Sequence, residues 1–284
     1  MKDSGSEASV VKNAKPVVSD GQLKDRLSDK LAEQGLLIRS QLSLDAHDPL
    51  FPECLSESLT DEPDEERSKK MPESTQDSCA VTLLLIGNVG SSFWPAFSQS
   101  PEYQDLLPDP LDRWSLRVGR QLAEELDARV LFPFGGPPYH PFLSWAKRND
   151  TGFESPLGLT LHPEFGLWHA YRFALAFSGN IDIEAGLDDY QKRADVISPC
   201  SNCPDSKVRE HNGKEKPCLS SCPVDAFSYQ GYQVKRCAAF LALNPEHDCN
   251  LKGCRARRAC PVGQNYHYDD LHAQFHMRQF VVSH

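Results

Sequence analysis

The sequence predicts an α+β protein, in which a mixed α/β unit is followed by a smaller cysteine-rich unit. Strand-length apolar runs alternate with amphipathic helical patterns between about residues 80 and 177, and eight of the ten cysteines follow residue 199. An acidic, Pro/Ser-rich stretch precedes the first unit and predicts a flexible connection. We therefore expect a flexible acidic N-terminal arm over 1–78, an α/β domain over 79–190, a cysteine domain over 191–265 and a C-terminal helix or tail over 266–284.

The N-terminal arm contains one predicted helix, from about residue 21 to 34. Leu23, Leu27 and Leu31 share one face of it, and Gly35 provides a C-terminal stop. Cys54 and Cys79 lie outside the later cysteine blocks and are interpreted as plain thiols.

The α/β domain is predicted to begin with the apolar strand 80–86. A helix over 112–126 follows, because its apolar residues recur at intervals of four. A strand over 130–134 and a short helix over 142–148 come next. Strands over 157–162 and 168–177 are then expected to form a hairpin.

The cysteine domain has two successive blocks, each ending in a Cys-Pro pair. The first block contains Cys200, Cys203, Cys218 and Cys222, and the second contains Cys237, Cys249, Cys254 and Cys260. Iron–sulfur clusters use four thiolates each, and bacterial-type sites end on a cysteine followed by proline. Eight thiolates are the number needed for two [4Fe–4S] clusters, which indicates metal binding and electron transfer.

Zinc and disulfides are the competing interpretations of these cysteines. Structural zinc uses tight cysteine pairs, whereas the second block is spread over 24 positions. Disulfides require an oxidising compartment, and the N-terminus carries no secretory signal, so we expect a cytoplasmic protein. The chain also has no apolar run long enough for a membrane span.

The crossed ligation of two-cluster ferredoxins suggests how the thiols pair. In those proteins the last cysteine of each run ligates the other cluster. Cys260 would then join Cys200, Cys203 and Cys218, and Cys222 would join the second block. The inserts between the cysteines are longer than in compact ferredoxins. The sequence therefore constrains which cysteines share a cluster less than it constrains the total of eight ligands.

The segment just before the cysteines resembles epoxyqueuosine reductase, a cobalamin-dependent family with two clusters that acts on a modified tRNA nucleoside. The resemblance rests on Trp145–Arg148, on Leu157–Trp168 and on Cys237–Leu243 with the following cysteines. The turn His162–Trp168 is also similar to cobalamin-processing proteins of the methylmalonic aciduria type, which lack clusters. The resemblance covers about residues 80–265.

This resemblance implies a nitroreductase-like α/β domain that binds a base-off corrinoid, followed by a two-cluster ferredoxin-like domain. Six residues are the implied cofactor-binding positions: Phe142, Trp145, His162, Phe165, Trp168 and Arg172. Arg172 needs a partner if buried, either a carboxylate such as Glu164 or a corrinoid amide or phosphate. The family's proton-donating aspartate has no counterpart here, and His140 or Tyr139 is the alternative donor.

Two classes of function follow. The first is an oxidoreductase that passes cluster electrons to a corrinoid or substrate in the α/β domain, and the second is an electron carrier without chemistry of its own. Either one implies a redox partner of ferredoxin or flavodoxin type. A formal net charge of −10, with the basic excess confined to the cysteine block, argues against a tRNA-binding module.

Overall fold

The structure is a computed structural model that describes residues 19–52, 80–150, 152–183, 197–203, 206–209, 213–228 and 231–284. Cys54, Cys79 and the acidic run at 61–66, on which part of the arm prediction rests, lie outside the described residues.

The first unit contains five helices and six strands in the described residues. In chain order these are α1 (Asp20–Glu33), β1 (Leu37–Leu44), β2 (Val81–Val89), α2 (Trp94–Ser98), α3 (Pro101–Gln104), α4 (Pro110–Leu126), β3 (Arg129–Leu131), α5 (Phe142–Asn149), β4 (Phe153–Glu154), β5 (Thr160–Leu161) and β6 (His169–Ser178).

The second unit consists of short elements that connect the cysteines. They are β7 (Ser206–Arg209), β8 (Gly213–Glu215), α6 (Pro217–Ser220), β9 (Phe227–Ser228), β10 (Gly231–Tyr232), α7 (Val234–Leu243), α8 (Asp248–Lys252), α9 (Arg255–Arg258), a 3₁₀ turn (Gln264–Tyr266) and α10 (Asp270–Ser283). No helix in the described ranges combines the length and apolarity that a bilayer crossing requires.

Four strands of the first unit form one antiparallel sheet in the order β1-β2-β6-β3. Helices cover both faces of this sheet, so the central strand β2 is buried on both sides and reads as a continuous apolar run. Leu84 and Ile86 face α1 and α4, whereas Leu83 and Leu85 face α5. The α+β class is therefore confirmed, with an antiparallel central sheet.

The predicted stripe on the long helix is confirmed as a core face. Trp114, Val118, Leu122 and Leu126 are all buried in α4. A residue four positions further on lies one turn up the same face, so this spacing places all four against the sheet.

The prediction of an N-terminal arm is wrong for residues 19–44. Helix α1 is present as predicted, but Leu27 and Leu31 are 0% exposed in the main core. The unpredicted strand β1 pairs with β2 over its whole length and forms an edge of the sheet. These residues belong to the folded α+β unit.

The predicted hairpin between 157–162 and 168–177 is also wrong. The short strand β5 pairs with β4, while β6 pairs with β2 and β3. What joins them is a tight turn closed by reciprocal backbone hydrogen bonds between His162 and Gly166, of 2.8 and 2.9 Å. The predicted strand at 130–134 is likewise shorter, ending at Leu131 two residues before Pro133.

The cysteine unit packs onto the first unit through a third apolar cluster. Leu157, Leu161 and Leu167 from the first unit join Cys218, Cys222 and Cys260 in this cluster. Helix α10 then returns to the main core, where Phe275 packs beside α2. The predicted closing helix exists, although it begins at Asp270 after a 3₁₀ turn.

Candidate functional site

The eight clustered thiols separate in space into two sets of four. The first thiol set comprises Cys200, Cys203, Cys218 and Cys260, and the second comprises Cys222, Cys237, Cys249 and Cys254. None of the eight forms a disulfide.

Mutual electrostatics define the first thiol set. Burial, together with the thiolates of Cys260, Cys200 and Cys203, raises the pKa of the Cys218 thiol to about 11. Burial also raises the pKa of Cys260, again with contributions from Cys200 and Cys203. Charges affect each other in this way only at short range, so these four sulfurs are neighbours.

The second thiol set lines one small cavity. All four of its cysteines border this cavity, together with apolar side chains such as Phe227 and Leu241. Burial raises the pKa of the Cys254 thiol, and the thiolates of Cys237 and Cys222 add to the effect. This set combines three cysteines of the second block with the last cysteine of the first block.

The distances between candidate ligand atoms bear on which metal the thiols could hold. Around one zinc ion, Zn–S bonds of about 2.3 Å in tetrahedral geometry hold neighbouring sulfurs about 3.8 Å apart. Among the described residues, which include all eight thiols, the one trio of His, Cys, Asp or Glu ligand atoms within 4.8 Å of one another is His247, Asp248 and Cys249. No three thiols are that close. An iron–sulfur cluster holds its four thiolates around several iron atoms, so its ligands need not lie that close.

The trio around Cys249 is explained by local structure. His247 is the N-cap of α8, and its Nδ1 accepts the backbone N–H of Cys249 at 3.1 Å. The carboxylate of Asp248 accepts a hydrogen bond from Arg258 at 2.7 Å. Both side chains therefore have structural partners, and only the thiol remains available for a metal.

Hydrogen-bond donors surround several of the sulfurs. The backbone N–H of Ala226 donates to Cys222 Sγ at 3.3 Å. The thiol of Cys254 receives the backbone N–H groups of Arg257 and Ala256, and Cys237 receives the hydroxyl of Tyr232. Such donors stabilise thiolates and tune the reduction potential of clusters. The two sets of four thiols, with backbone N–H donors beside Cys222 and Cys254, match the number of ligands that two [4Fe–4S] clusters require.

A second cavity, of about 360 Å³, lies beside the cysteine unit. We call it the larger cavity because it exceeds the one lined by the second thiol set. Strand β6 contributes His169, Tyr171 and Arg172 to its wall, and the C-terminal segment contributes Tyr268 and His276. Its volume is at the lower end of the range for small-molecule sites.

One wall residue of this larger cavity belongs to the same apolar cluster as three of the cysteines. Leu167 borders the cavity and also packs in the apolar cluster that contains Cys218, Cys222 and Cys260. Arg257, which lies between Cys254 and Cys260 in the chain, lines the cavity as well.

Three of the four aromatic residues predicted to bind the corrinoid are buried. Phe142 and Trp145 are 5% and 0% exposed, and the Trp145 indole donates to the carbonyl of Leu50 at 2.9 Å. Trp168 is 2% exposed and stacks with Arg257. These side chains have no face to offer a large ligand, so they do not fit the predicted corrinoid platform.

His162 and Phe165 shape the turn between β5 and β6. The Nδ1 of His162 accepts the backbone N–H groups of Glu164 and Phe165, and its ring stacks on Phe165 at 4.2 Å. Burial lowers the pKa of His162 to about 4, although the Asp150 carboxylate opposes this shift. Both residues serve local structure here.

Arg172 is the predicted cofactor-binding residue that does line the larger cavity. Its Nε donates to the Asn88 side chain at 3.0 Å. Glu164, the carboxylate suggested from sequence, accepts a hydrogen bond from Tyr266 at 2.7 Å instead.

The two proposed proton donors lie on the loop before α5. Tyr139 is 67% exposed, and His140 stacks against the buried Trp145 with ring centroids 6.0 Å apart. Burial lowers the pKa of His140.

Sequence reasoning missed three residues of the larger cavity: Arg257, Tyr268 and His276. Each lies in the last 30 residues, where the pattern predicted only cysteine ligands and a closing helix. The histidines at 272 and 276 were the available signal, because residues four apart lie on one helical face.

Comparisons with known proteins give limited matches. No protein-family profile and no curated protein matches this chain. Among solved structures, an epoxyqueuosine reductase from Bacillus subtilis, with its catalytic loop swung out of the active site, is similar at 19% identity and a TM-score of 0.37. The match covers 88% of this chain and 67% of that one. An epoxyqueuosine reductase with an epoxyqueuosine-modified tyrosine tRNA stem loop is similar at the same identity and TM-score, covering 88% and 68% of the two chains.

Proposed function

We propose that this protein is an iron–sulfur reductase with two [4Fe–4S] clusters, which delivers single electrons to a substrate bound in the larger cavity. The observation that carries the proposal is the spatial division of eight thiols into two sets of four. Each set supplies the four thiolates that one cluster requires.

The chain's own residues would support the clusters in three ways. The thiols provide the ligands, and the raised pKa values of Cys218 and Cys249 mean that a metal must displace their protons on binding. Backbone N–H groups beside Cys222 and Cys254 stabilise the thiolates. The apolar cluster around Cys218 and Cys260 limits water access, which also influences the reduction potential.

The larger cavity favours a reductase over a simple electron carrier. A carrier needs only an exposed cluster edge, whereas this half-open cavity of about 360 Å³ shares the wall residue Leu167 with the apolar cluster that contains Cys218, Cys222 and Cys260. Electrons for turnover would come from a redox partner of ferredoxin or flavodoxin type. An electron carrier without chemistry of its own is the alternative function.

A corrinoid is a second candidate acceptor, supported only by the sequence resemblance of the turn at 162–168. We derive no step through it, because three of the four aromatic residues expected to hold it are buried. Incubation with cob(II)alamin tests this directly. A shift of its absorption to the base-off form would favour the corrinoid, and an unchanged spectrum would leave the small-substrate proposal.

Metal and sulfide analysis tests the clusters. We expect anaerobically reconstituted full-length protein to hold about eight iron and about eight acid-labile sulfide per chain. The matched control is the Cys218→Ser/Cys249→Ser double variant, which removes one thiol from each set and should lower both contents. A content of about two zinc without sulfide would contradict the proposal.

A further inference from the structure

The two arginines that border the larger cavity differ from four other described arginines in their charge partners. Arg113, Arg117, Arg148 and Arg258 each form an ion pair with a carboxylate at 2.7 Å or less. Arg172 and Arg257 form no ion pair within 4.0 Å among the described residues. Both are partly buried, and burying a cation without a counter-charge is costly.

The hydrogen bonds of Arg172 leave much of its guanidinium available. Its Nε donates to Asn88 and its charge lies 4.8 Å above the ring of Phe93. Within the described chain, neither of its Nη atoms has a protein acceptor. The Asp112 carboxylate acts on Arg172 electrostatically but lies beyond ion-pair distance, and burial raises the pKa of its carboxyl.

Arg257 lines the same cavity, and part of its guanidinium is hydrogen-bonded to the protein. Its Nε and Nη2 donate to the carbonyl of Leu167, and Nη2 also donates to the Tyr268 hydroxyl at 3.0 Å. Since that hydroxyl already accepts from Arg257, its own proton needs an acceptor, and the described residues provide none.

The two arginines contribute to a lowered pKa of His276, which also lines the cavity. Burial, together with the charges of Arg172 and Arg257, lowers the pKa of His276 to about 3. His276 therefore stays neutral at physiological pH and does not add a further cation. The cavity thus holds two fixed positive charges and an excess of hydrogen-bond donors.

We propose that this cavity binds a small organic oxyanion, a carboxylate or a phosphate, whose oxygens accept from Arg172, Arg257 and Tyr268. Such an anion supplies the missing counter-charge, and guanidinium groups bind carboxylates and phosphates through two parallel hydrogen bonds. The inference deepens the proposed function by naming the substrate class of the reductase. The site itself requires no cluster.

Ligand-dependent thermal unfolding of the purified holoprotein tests the proposal. Inorganic phosphate and succinate are titrated separately, each against sodium chloride at equal ionic strength. We expect at least one of them to raise the unfolding temperature with saturation, because a ligand that binds the folded state stabilises it. Which one does so distinguishes phosphate from carboxylate recognition.

Leu159 offers a matched pair of variants at the rim of the cavity. It is 43% exposed and lines the cavity, so a polar replacement is tolerated by the fold. Leu159→Glu introduces a competing carboxylate and should weaken anion binding at least tenfold. Leu159→Gln introduces a side chain of the same shape as glutamate but without its charge, and should not weaken binding.

Arg172→Gln should abolish the saturable effect, and Arg117→Gln, which removes an arginine paired with Glu102, should preserve it. The proposal is overturned if neither anion exceeds the chloride control, or if the two Leu159 variants bind equally. Iron and sulfide contents are measured on the same samples, so loss of the clusters and loss of anion binding are separate outcomes.

Discussion

Gly166 and Gly263 pack backbone against backbone where the first unit meets the cysteine unit. A Cβ atom on Gly166 would lie 2.1 Å from the carbonyl oxygen of Val262, and one on Gly263 would lie 2.3 Å from that of Phe165. Both glycines also have positive φ angles, of 60° and 71°. The turn before β6 is therefore fixed directly on the chain that follows Cys260.

We predict that Gly166→Ala destabilises the protein by about 3 kcal/mol or more, because it combines a left-handed backbone with a steric overlap. Gly179→Ala is the matched control. Gly179 has a φ of 85° but no atom within 4 Å of its added Cβ, so we expect a cost of about 1–2 kcal/mol. Denaturant unfolding measures both values. Equal costs would show that the contact with Val262 is loose.

Single cysteine substitutions should affect one thiol set at a time. Cys260→Ala should disturb the cluster of Cys200, Cys203 and Cys218, and Cys222→Ala should disturb the other. Iron content and electron paramagnetic resonance of the reduced protein measure the loss. If Cys260→Ala instead removed the signal that depends on Cys249, the crossed pairing would be excluded.

The buried ion pair between Arg39 and Asp150 should be important for stability. Its atoms are 2.9 Å apart, and the two side chains are 1% and 3% exposed. Asp150→Asn removes the carboxylate from a buried guanidinium, which we expect to cost about 3–5 kcal/mol.

Asp48→Asn is the control for that prediction, since it breaks a more exposed pair with Arg148. There we expect about 0–1 kcal/mol. Denaturant unfolding at pH 7 compares the two variants, and similar costs would mean that the buried pair is compensated elsewhere.

Stability should fall on acidification because of the histidines near the C-terminus. Burial lowers the pKa of His272 to about 2 and of His276 to about 3, whereas unfolded histidine titrates near 6.5. Between these pKa values, the unfolded chain therefore binds protons that the folded protein does not bind. The stabilisation is complete above about pH 6.5 and is lost progressively as the pH falls toward 3.

His276→Phe tests this pH dependence while keeping an aromatic ring beside Tyr268 and Phe275. It should remove the uptake of up to one proton on unfolding. The slope of the unfolding free energy against pH should then fall by up to about 1.4 kcal/mol per pH unit. Unfolding by urea at pH 7, 6 and 5, with wild type in parallel, measures the slopes. Identical slopes would contradict the buried neutral state of His276.

The sequence predicted the elements whose pattern is local. The stripe on α4 and the apolar run of β2 both followed from side-chain spacing and were confirmed. Strand β1 was missed because its buried residues include Arg39, Ser40 and Gln41. Their partners come from distant segments: Asp150 pairs with Arg39, and the backbone at 181–183 bonds Gln41.

The same limit applies to the candidate site. The number of cysteines and their Cys-Pro endings are properties of the chain itself, so the candidate ligands could be identified from sequence. The cavity could not, because it is assembled from β6 and from Arg257, Tyr268 and His276, which are about 85 residues or more apart in the chain. The aromatic residues predicted to bind a corrinoid do not line it, and Phe142, Trp145 and Trp168 are buried.

The interleaving of the thiol sets has a consequence for the lifetime of the protein. One set spans positions 200–260 and the other 222–254, so bound clusters would act as overlapping cross-links. In the chain-entropy model developed for disulfides, closing a loop of about 60 residues is worth about 4 kcal/mol. Oxidative loss of either cluster would release much of the same stretch of chain. Exposure to oxygen would then shorten the protein's survival against proteases as well as its activity.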